Sequence, residues 1–268
     1  MAIEFKNVSF KYNDFDKNNI IHNMNIELDD NKIYGLIGKS GSGKTTILEL
    51  IDGLIKPTSG KILVDYIDTT KKEIRKKVGF VFQFPEEQFF EDNVKKELEF
   101  ALRNFKMSLN KAIEVLKIVG FDESILNKKL SELSSGEKRM IAILSVLVYN
   151  PKIILFDEPT IGLDNKNKKK LIKVIKKLKE NGKTIIIASH DIDLLYELCD
   201  NLIVISTGKL ILYGETESVV NEIKILNDYD IPIPNIIKFE KLVKDKKQIK
   251  LRHSKSINDL IKEVYRNV

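Results

Sequence analysis

The chain has one cysteine, Cys199, in 268 residues. A single thiol excludes an internal disulfide and a multi-cysteine metal site, and its setting in LLYELCDNLIVI suits a buried small hydrophobe. No run approaches the roughly 18 consecutive apolar residues of a membrane-spanning helix. The start, MAIEFKNVSF, lacks the charged-then-apolar layout of a signal peptide. Internal repeats and low-complexity segments are absent as well, which argues against a tandem duplication. These absences leave a cytoplasmic protein as the expectation.

What is present is ordinary for a soluble globular protein: 43% apolar and 31% charged residues, in a chain long enough for one large or two small domains with a sizeable core. The net charge of +6 and pI near 9.0 would, taken alone, suggest nucleic acid or a membrane surface. The location of the charge argues otherwise. From Lys238 to Val268 there are ten Lys/Arg against four acids (Glu240, Asp245, Asp259, Glu263), a net of +6, so the rest of the chain is balanced. The lysine-dense stretch 165–183 carries Leu171, Ile172, Val174, Ile175 and Leu178 at helical spacing. It reads as a solvated helix face over a core stripe.

Along the chain, AIEFKNVSFKY alternates apolar and polar residues as a strand does, and NIIHNMNIELDDN continues that pattern. KIYGLIG is a short apolar strand, and TTILELIDGLI follows at helical spacing until the turn KPTSG. Residues 86–130 are largely helical. Three further β-like runs follow: KIILFDEP, TIIIASH and NLIVISTGKLILYG. Apolar, β-branched strands alternating with helices predict a largely parallel sheet covered on both faces, with 86–150 as a helical subdomain inserted between strands. After Gly214 the pattern changes. IPIPN at 231–235 reads as a linker-like break before a lysine-rich tail with apolar periodicity, INDLIKEVY.

Between that strand and that helix lies GKSGSGKT, which satisfies G-x-x-x-x-G-K-[ST] in its confirming context. Glycines let the backbone curl so that several N–H groups face one anion, and the helix dipole adds partial positive charge. The candidate phosphate-binding residues are Gly38, Lys39, Ser40, Gly41, Ser42, Gly43, Lys44, Thr45 and Thr46. Lys44 would place its ammonium between β- and γ-phosphates, and the Thr45 hydroxyl would ligate Mg2+.

IILFDEP puts Asp157 and Glu158 at the C-terminal end of a buried strand, where ligands bind in open α/β sheets. Adjacent acids on an extended chain point to opposite faces, so Asp157 is expected in the Mg2+ shell and Glu158 at the attacking water. Gln83, after the apolar VGFVF, can ligate Mg2+ and orient water without adding charge. His190 ends TIIIASH at the same sheet edge, where imidazole can donate to a γ-phosphate oxygen.

A second stretch, LSSGEKRM (Leu133 to Met140), also has the look of an anion-binding helix start. Taken together, the phosphate loop, Gln83, LSSGE, LFDE, IGLD and His190 occur in the order and spacing of ATP-binding-cassette (ABC) ATPases, and the resemblance covers roughly residues 2–220. It implies a P-loop NTPase of ABC type: an α/β RecA-like core with an antiparallel β-subdomain and an inserted helical signature subdomain. The cassette would span 1–220, with a small C-terminal α or α+β extension for dimerisation or regulation at 221–268. By the same resemblance Tyr12 stacks on adenine, Asp164 is the D-loop aspartate, and Leu133, Ser134, Ser135, Gly136 and Glu137 form the signature. In the family two such domains close head to tail, each signature facing the partner's ATP.

VFQFPEEQFFEDNV, EPTIGLD and the C-terminal piece resemble the ATPase subunits of energy-coupling factor (ECF) vitamin importers, more the second of their two paralogues. That resemblance implies ATP and Mg2+, a second ABC ATPase subunit as homo- or heterodimer, a membrane-embedded coupling protein, substrate-binding membrane proteins, and a peripheral place on the cytoplasmic face of the cell membrane. The alternatives are the ATPase of another importer (cobalt, nickel or amino acid) and, from another class, a soluble ABC protein acting on nucleic acid or ribosomes. Against the latter, about fifty residues separate Gln83 from Leu133, enough only for a small helical subdomain, and no nucleic-acid partner is expected. The chain departs from the family pattern at three positions. Ser135 stands where glycine is commonest, Glu137 where glutamine is, and Ile161 where the D-loop is usually small. Glu137 brings a negative charge towards a nucleotide unless Lys138 or Arg139 offsets it.

Overall fold

The computed structural model describes residues 1–13, 18–103, 105–247, 261–262 and 265; most of INDLIKEVY lies outside them. In chain order the strands are β1 (Ile3–Phe10), β2 (Ile21–Leu28), β3 (Ile33–Ile37), β4 (Ser59–Val64), β5 (Ile67–Asp68), β6 (Val78–Val81), β7 (Ile153–Asp157), β8 (Thr184–Ala188), β9 (Asn201–Ser206) and β10 (Lys209–Glu215). The helices are α1 (Lys44–Asp52), α2 (Val94–Arg103), α3 (Asn110–Val119), α4 (Ser135–Leu147), α5 (Asn165–Glu180), α6 (Ile192–Leu198), α7 (Thr216–Asn221), α8 (Ile223–Asp228) and α9 (Asn235–Lys247).

The strands sort into two sheets, β2-β1-β4-β5 and β10-β9-β3-β8-β7-β6. The first is antiparallel throughout. In the second, β9, β3, β8, β7 and β6 run parallel and β10 returns antiparallel at the edge. The parallel strands are buried along nearly all their length and rich in Ile, Leu, Val and Phe, which is what a sheet covered on both faces requires. Alternation splits their side chains between two cores. Tyr34, Leu36, Leu155, Ile186 and Ala188 pack with α1 and the antiparallel sheet. Ile33, Ile37, Ile154, Phe156, Ile185 and Ile187 pack with the helices of the opposite face, α4 and α5 among them. One cover is therefore a helix plus a sheet, and the other is helical.

This order decides where function sits. Because β3, β8, β7 and β6 are adjacent and parallel, the residues just beyond their C-terminal ends share one rim of the sheet. Residues 38–45 follow β3, Ser189 and His190 follow β8, Asp157 and Glu158 close β7, and Gln83 follows β6.

The stretch 231–234 is not the free linker that its prolines suggest. Ile231 is buried, as are Ile236 and Ile237 of α9, all within the main core. The Asn235 backbone N–H and side-chain amide donate to the Asp193 carboxylate of α6 at 2.7 and 2.6 Å, and Asp230 pairs with Lys39 at 2.6 Å. Burial of one isoleucine with two polar tethers holds a proline-rich segment that has few backbone donors of its own.

Candidate functional site

The loop between β3 and α1 is shaped by what a β-carbon would hit. Gly38 sits where an added Cβ would collide with the Ile205 carbonyl and the Ser42 hydroxyl, and Gly43 adopts φ 102°, a conformation that favours glycine. The loop is pinned from outside by the Gly208 N–H donating to the Ser42 carbonyl at 3.0 Å. Helix α1 then starts with no side-chain cap and no acid in its first turn. An N-terminus normally recruits a Ser, Thr, Asp or Asn oxygen. This one keeps its N–H groups and its dipole for an external anion. The Lys44 ammonium donates to the carbonyls of Gly38 (2.8 Å) and Lys39 (3.3 Å), which stations a buried cation within the same loop.

Beside it, the Thr45 hydroxyl donates to Asp157 Oδ2 at 2.7 Å. Burial pushes the Asp157 carboxyl above its ordinary range, helped by the neighbouring Glu158 and opposed by the Thr45 hydroxyl and Lys44. Glu158 takes separate partners: Ser189 Oγ donates to its Oε2 at 3.1 Å, and His190 Nδ1 lies 3.0 Å from its Oε1. The two acids do serve different neighbours, but not because the chain is extended. Glu158 has φ 44°, so the strand ends in a left-handed turn. Its N–H donates to the Ala188 carbonyl at 2.8 Å, and its carbonyl accepts from Ile161 N–H at 3.2 Å.

These groups surround a cavity of about 580 Å3, lined by Tyr12, Ile20, Ser40, Gly41, Gly43, Lys44, Thr45, Thr46, Gln83, Asp157, Glu158, Ile161 and His190. Ten residues predicted from the motifs thus converge on one site, together with Tyr12. The Tyr12 hydroxyl meets Thr46 Oγ1 at 3.0 Å and donates to Glu49 at 3.2 Å, standing the exposed ring beside the start of α1. Gly38, Lys39 and Ser42 build the loop without lining the cavity. The sequence reading missed two contributors. Ile20 closes one wall, with Ile161 on another, and buried Ser189, one residue before His190 at the same strand end, holds Glu158. A hydroxyl next to a strand-end histidine was the available signal.

The signature residues Leu133, Ser134, Ser135, Gly136 and Glu137 do not line this cavity. They open α4, whose N-terminus is already capped. The Glu137 carboxylate accepts from Ser134 N–H at 2.9 Å and from the Ser134 hydroxyl at 2.7 Å, a reciprocal capping box. These two Ser134 donors hold the Glu137 carboxyl below its ordinary range, with smaller help from Lys128 and Lys170. Of the two cations that could offset this charge, Arg139 does not: its guanidinium is buried and turned towards Gln83 and Glu86. Asp164 lies outside the cavity and caps α5, accepting from Asn167 N–H at 2.7 Å.

Chemically, a glycine-shaped loop at an uncapped helix start, with one internal ammonium, fits a polyphosphate. The Thr45 hydroxyl, Asp157 carboxylate and Gln83 amide are hard oxygen donors that fit a small divalent cation held mostly by that polyphosphate. The described residues contain no group of three or more His, Cys, Asp or Glu that could hold a metal ion.

Comparison with known proteins gives concordant matches. The ABC transporter family model matches residues 21–161. The chain is 37% identical, over 94% of its length and 93% of the relative's, to the energy-coupling factor transporter ATP-binding protein EcfA2 of Staphylococcus aureus. Among solved structures it resembles cbiO1 from Clostridium perfringens, part of the ABC transporter complex cbiONQ. That likeness has a TM-score of 0.75 and 31% identity and covers 90% of this chain and 98% of the other. It also resembles the ATP-binding cassette MJ0796 in a dimeric post-hydrolysis state bound to ADP and phosphate, with a TM-score of 0.70 and 30% identity, covering 80% of this chain and 98% of the other.

Proposed function

The chain belongs to the ABC transporter family, as the ATP-hydrolysing subunit of an energy-coupling factor type importer, and from that premise we propose how its residues divide the work. The observation that carries the proposal is the rim of the parallel sheet, where Thr45 meets Asp157 at 2.7 Å and Glu158 lies between Ser189 and His190 within 3.1 Å.

ATP binds with its phosphates in the Gly38–Thr46 loop and its adenine against the exposed Tyr12 ring. Thr45, Asp157 and Gln83 would hold Mg2+, which would supply neutralisation of charge on the phosphate oxygens. The Glu158 carboxylate accepts a proton from the attacking water, while Gln83 orients it. His190, steadied by Glu158, faces the γ-phosphate. The signature of a second ATPase subunit completes the site, and Ser134, Ser135 and Gly136 of this chain complete the partner's. Closure gains helix N-terminal contacts to the phosphate, and hydrolysis removes them, so the clamp reopens.

The similarity to EcfA2 supports the second of two paralogous ATPases, acting with a membrane-embedded coupling protein and substrate-binding membrane proteins. A peripheral position at the cytoplasmic face of the membrane agrees with the described residues, where no helix is long and apolar enough to cross one. The segment after residue 220 serves the contact between the two ATPases.

The test is Glu158→Gln in the assembled transporter. It should bind ATP and form the closed dimer while turnover falls about 10²-fold or more, the worth of a general base. Unimpaired hydrolysis would remove Glu158 from this role.

A further inference from the structure

Arg139 lies on α4, three residues beyond the signature glycine Gly136, and is only 2% exposed. Its Nη1 donates to the Gln83 carbonyl at 2.9 Å and to the Pro159 carbonyl at 3.5 Å. Its Nη2 donates to Glu86 Oε1 at 2.8 Å and to the Ile161 carbonyl at 3.3 Å, while Nε lies 2.6 Å from Glu86 Oε2. One planar fork therefore spans three segments: the helix that carries the signature, the residues around Gln83, and the turn immediately after Glu158.

The turn is where this matters most. Glu158 has a positive φ of 44°, which a β-carbon disfavours and which persists only where its surroundings impose it. Arg139 grips that turn through the carbonyls of residues 159 and 161, and grips Gln83 with the same guanidinium. A lysine has the charge but not the fork that meets these acceptors together. A second contact ties α4 to α5. A β-carbon on Gly136 would collide with the amide of Asn167, and the next residue, Lys168, pairs with Asp191 at 2.5 Å, directly beside His190.

We propose that Arg139 is the positioning residue that sets Gln83 and Glu158 relative to each other and ties both to the signature helix. This inference rests on the roles given above to those two residues. In a head-to-tail pair, α4 faces the partner's nucleotide while Gln83 and Glu158 face the chain's own. Arg139 is then the physical link through which engagement of one nucleotide is felt at the other, a coupling between sites in the thermodynamic sense. Arg139 itself does not line the nucleotide cavity.

The experiment uses the full transporter complex carrying Arg139→Gln or Arg139→Lys, with melting curves to confirm folding. Both variants should bind a fluorescent ATP analogue within about twofold of wild type, because the phosphate loop is untouched. Both should lose on the order of 10²-fold in kcat, the scale of a misplaced catalytic group, with KM for ATP within about threefold. The Hill coefficient for ATP should fall to one. Retention of wild-type kcat and cooperativity in either folded variant overturns the proposal, as does a rise in KM at unchanged kcat, or a wild-type complex with no cooperativity to lose. If both variants melt, Glu86→Gln gives the answer: it should show the same kcat-selective loss, smaller in size, and wild-type behaviour there is equally fatal. Glu158→Gln separates the two ideas. Normal hydrolysis in that variant breaks the underlying reading, whereas a dead Glu158→Gln beside an intact Arg139→Gln breaks this inference alone.

Discussion

The Ser134 hydroxyl donates at 2.7 Å to the carboxylate of Glu137, which also accepts the Ser134 N–H at 2.9 Å. Helix α4 thus carries its own anion at its N-terminus, whereas α1 has neither side-chain cap nor acid there. Two helix starts that look alike as phosphate sites differ in this way. For α4 to meet a phosphate, that phosphate must compete with Glu137 for the Ser134 proton. Glu137→Gln replaces a charge-assisted acceptor with a neutral one. In a Glu158→Gln background the substitution should lower the ATP concentration needed for dimerisation by about tenfold, read by size-exclusion chromatography with light scattering. Weaker dimerisation would show that the carboxylate assists closure.

Asp157 is buried and its carboxyl is raised above the ordinary range, chiefly by desolvation. A carboxyl raised in the folded state contributes stability at low pH that is lost as pH rises past its folded pKa. Asp157→Asn should therefore melt higher than wild type without nucleotide at pH 8, with the gap narrowing as pH falls into the carboxylate range. The same substitution should remove the extra stabilisation that Mg2+ adds to bound ATP and cut hydrolysis by about 10²-fold or more. A variant less stable at pH 8 than wild type would show that the ionised carboxylate is better solvated than its burial implies.

Asp52 closes α1, away from the cavity. Burial pushes its carboxyl up to about 6, with Arg75 pulling the other way, and a negative charge at a helix C-terminus also opposes the dipole. Between the ordinary carboxylate value and about 6, the unfolded chain ionises before the folded one, so stability is lost across that window and the loss is constant above it. Asp52→Asn should then gain on the order of 1–2 kcal/mol above about pH 6.5, with little gain near pH 4. Denaturant midpoints across that range measure it. A gain independent of pH would assign the effect to packing.

Much of the site was legible because its chemistry is local in sequence. A glycine loop between a strand and a helix, or an acid at a strand end, is written in consecutive residues, and parallel strand order then brings those ends together. The parallel sheet was legible for a similar reason: β3, β7 and β8 are continuous apolar runs with no polar face. The chain geometry at Glu158 was not legible. Nothing in FDEP marks a left-handed residue, because the turn is held by Ala188, Ile161 and Arg139 from elsewhere in the fold. The role of Arg139 was not legible either: beside Lys138 it reads only as a charge that could offset Glu137, since helical spacing gives its face but not its partners. The burial of Ile231 was hidden as well, because a proline-rich stretch reads as a linker until the core behind it exists.

Gly136 shows how closely the signature is tied to the rest of its own chain. A β-carbon there would collide with the Asn167 amide at the start of α5, and Asn167 N–H is the donor that Asp164 caps. Gly136→Ala must therefore displace Asn167 or lift α4 from α5, at about 1–3 kcal/mol for overpacking. Asn167→Ala removes the obstructing amide while keeping the backbone donor to Asp164. The double variant should thus recover most of the melting temperature that Gly136→Ala loses. Hydrolysis should stay low in the double variant, because the alanine methyl still stands at the helix start offered to the partner's phosphate. Recovery of activity along with stability would mean that Gly136 is there for packing against α5 alone.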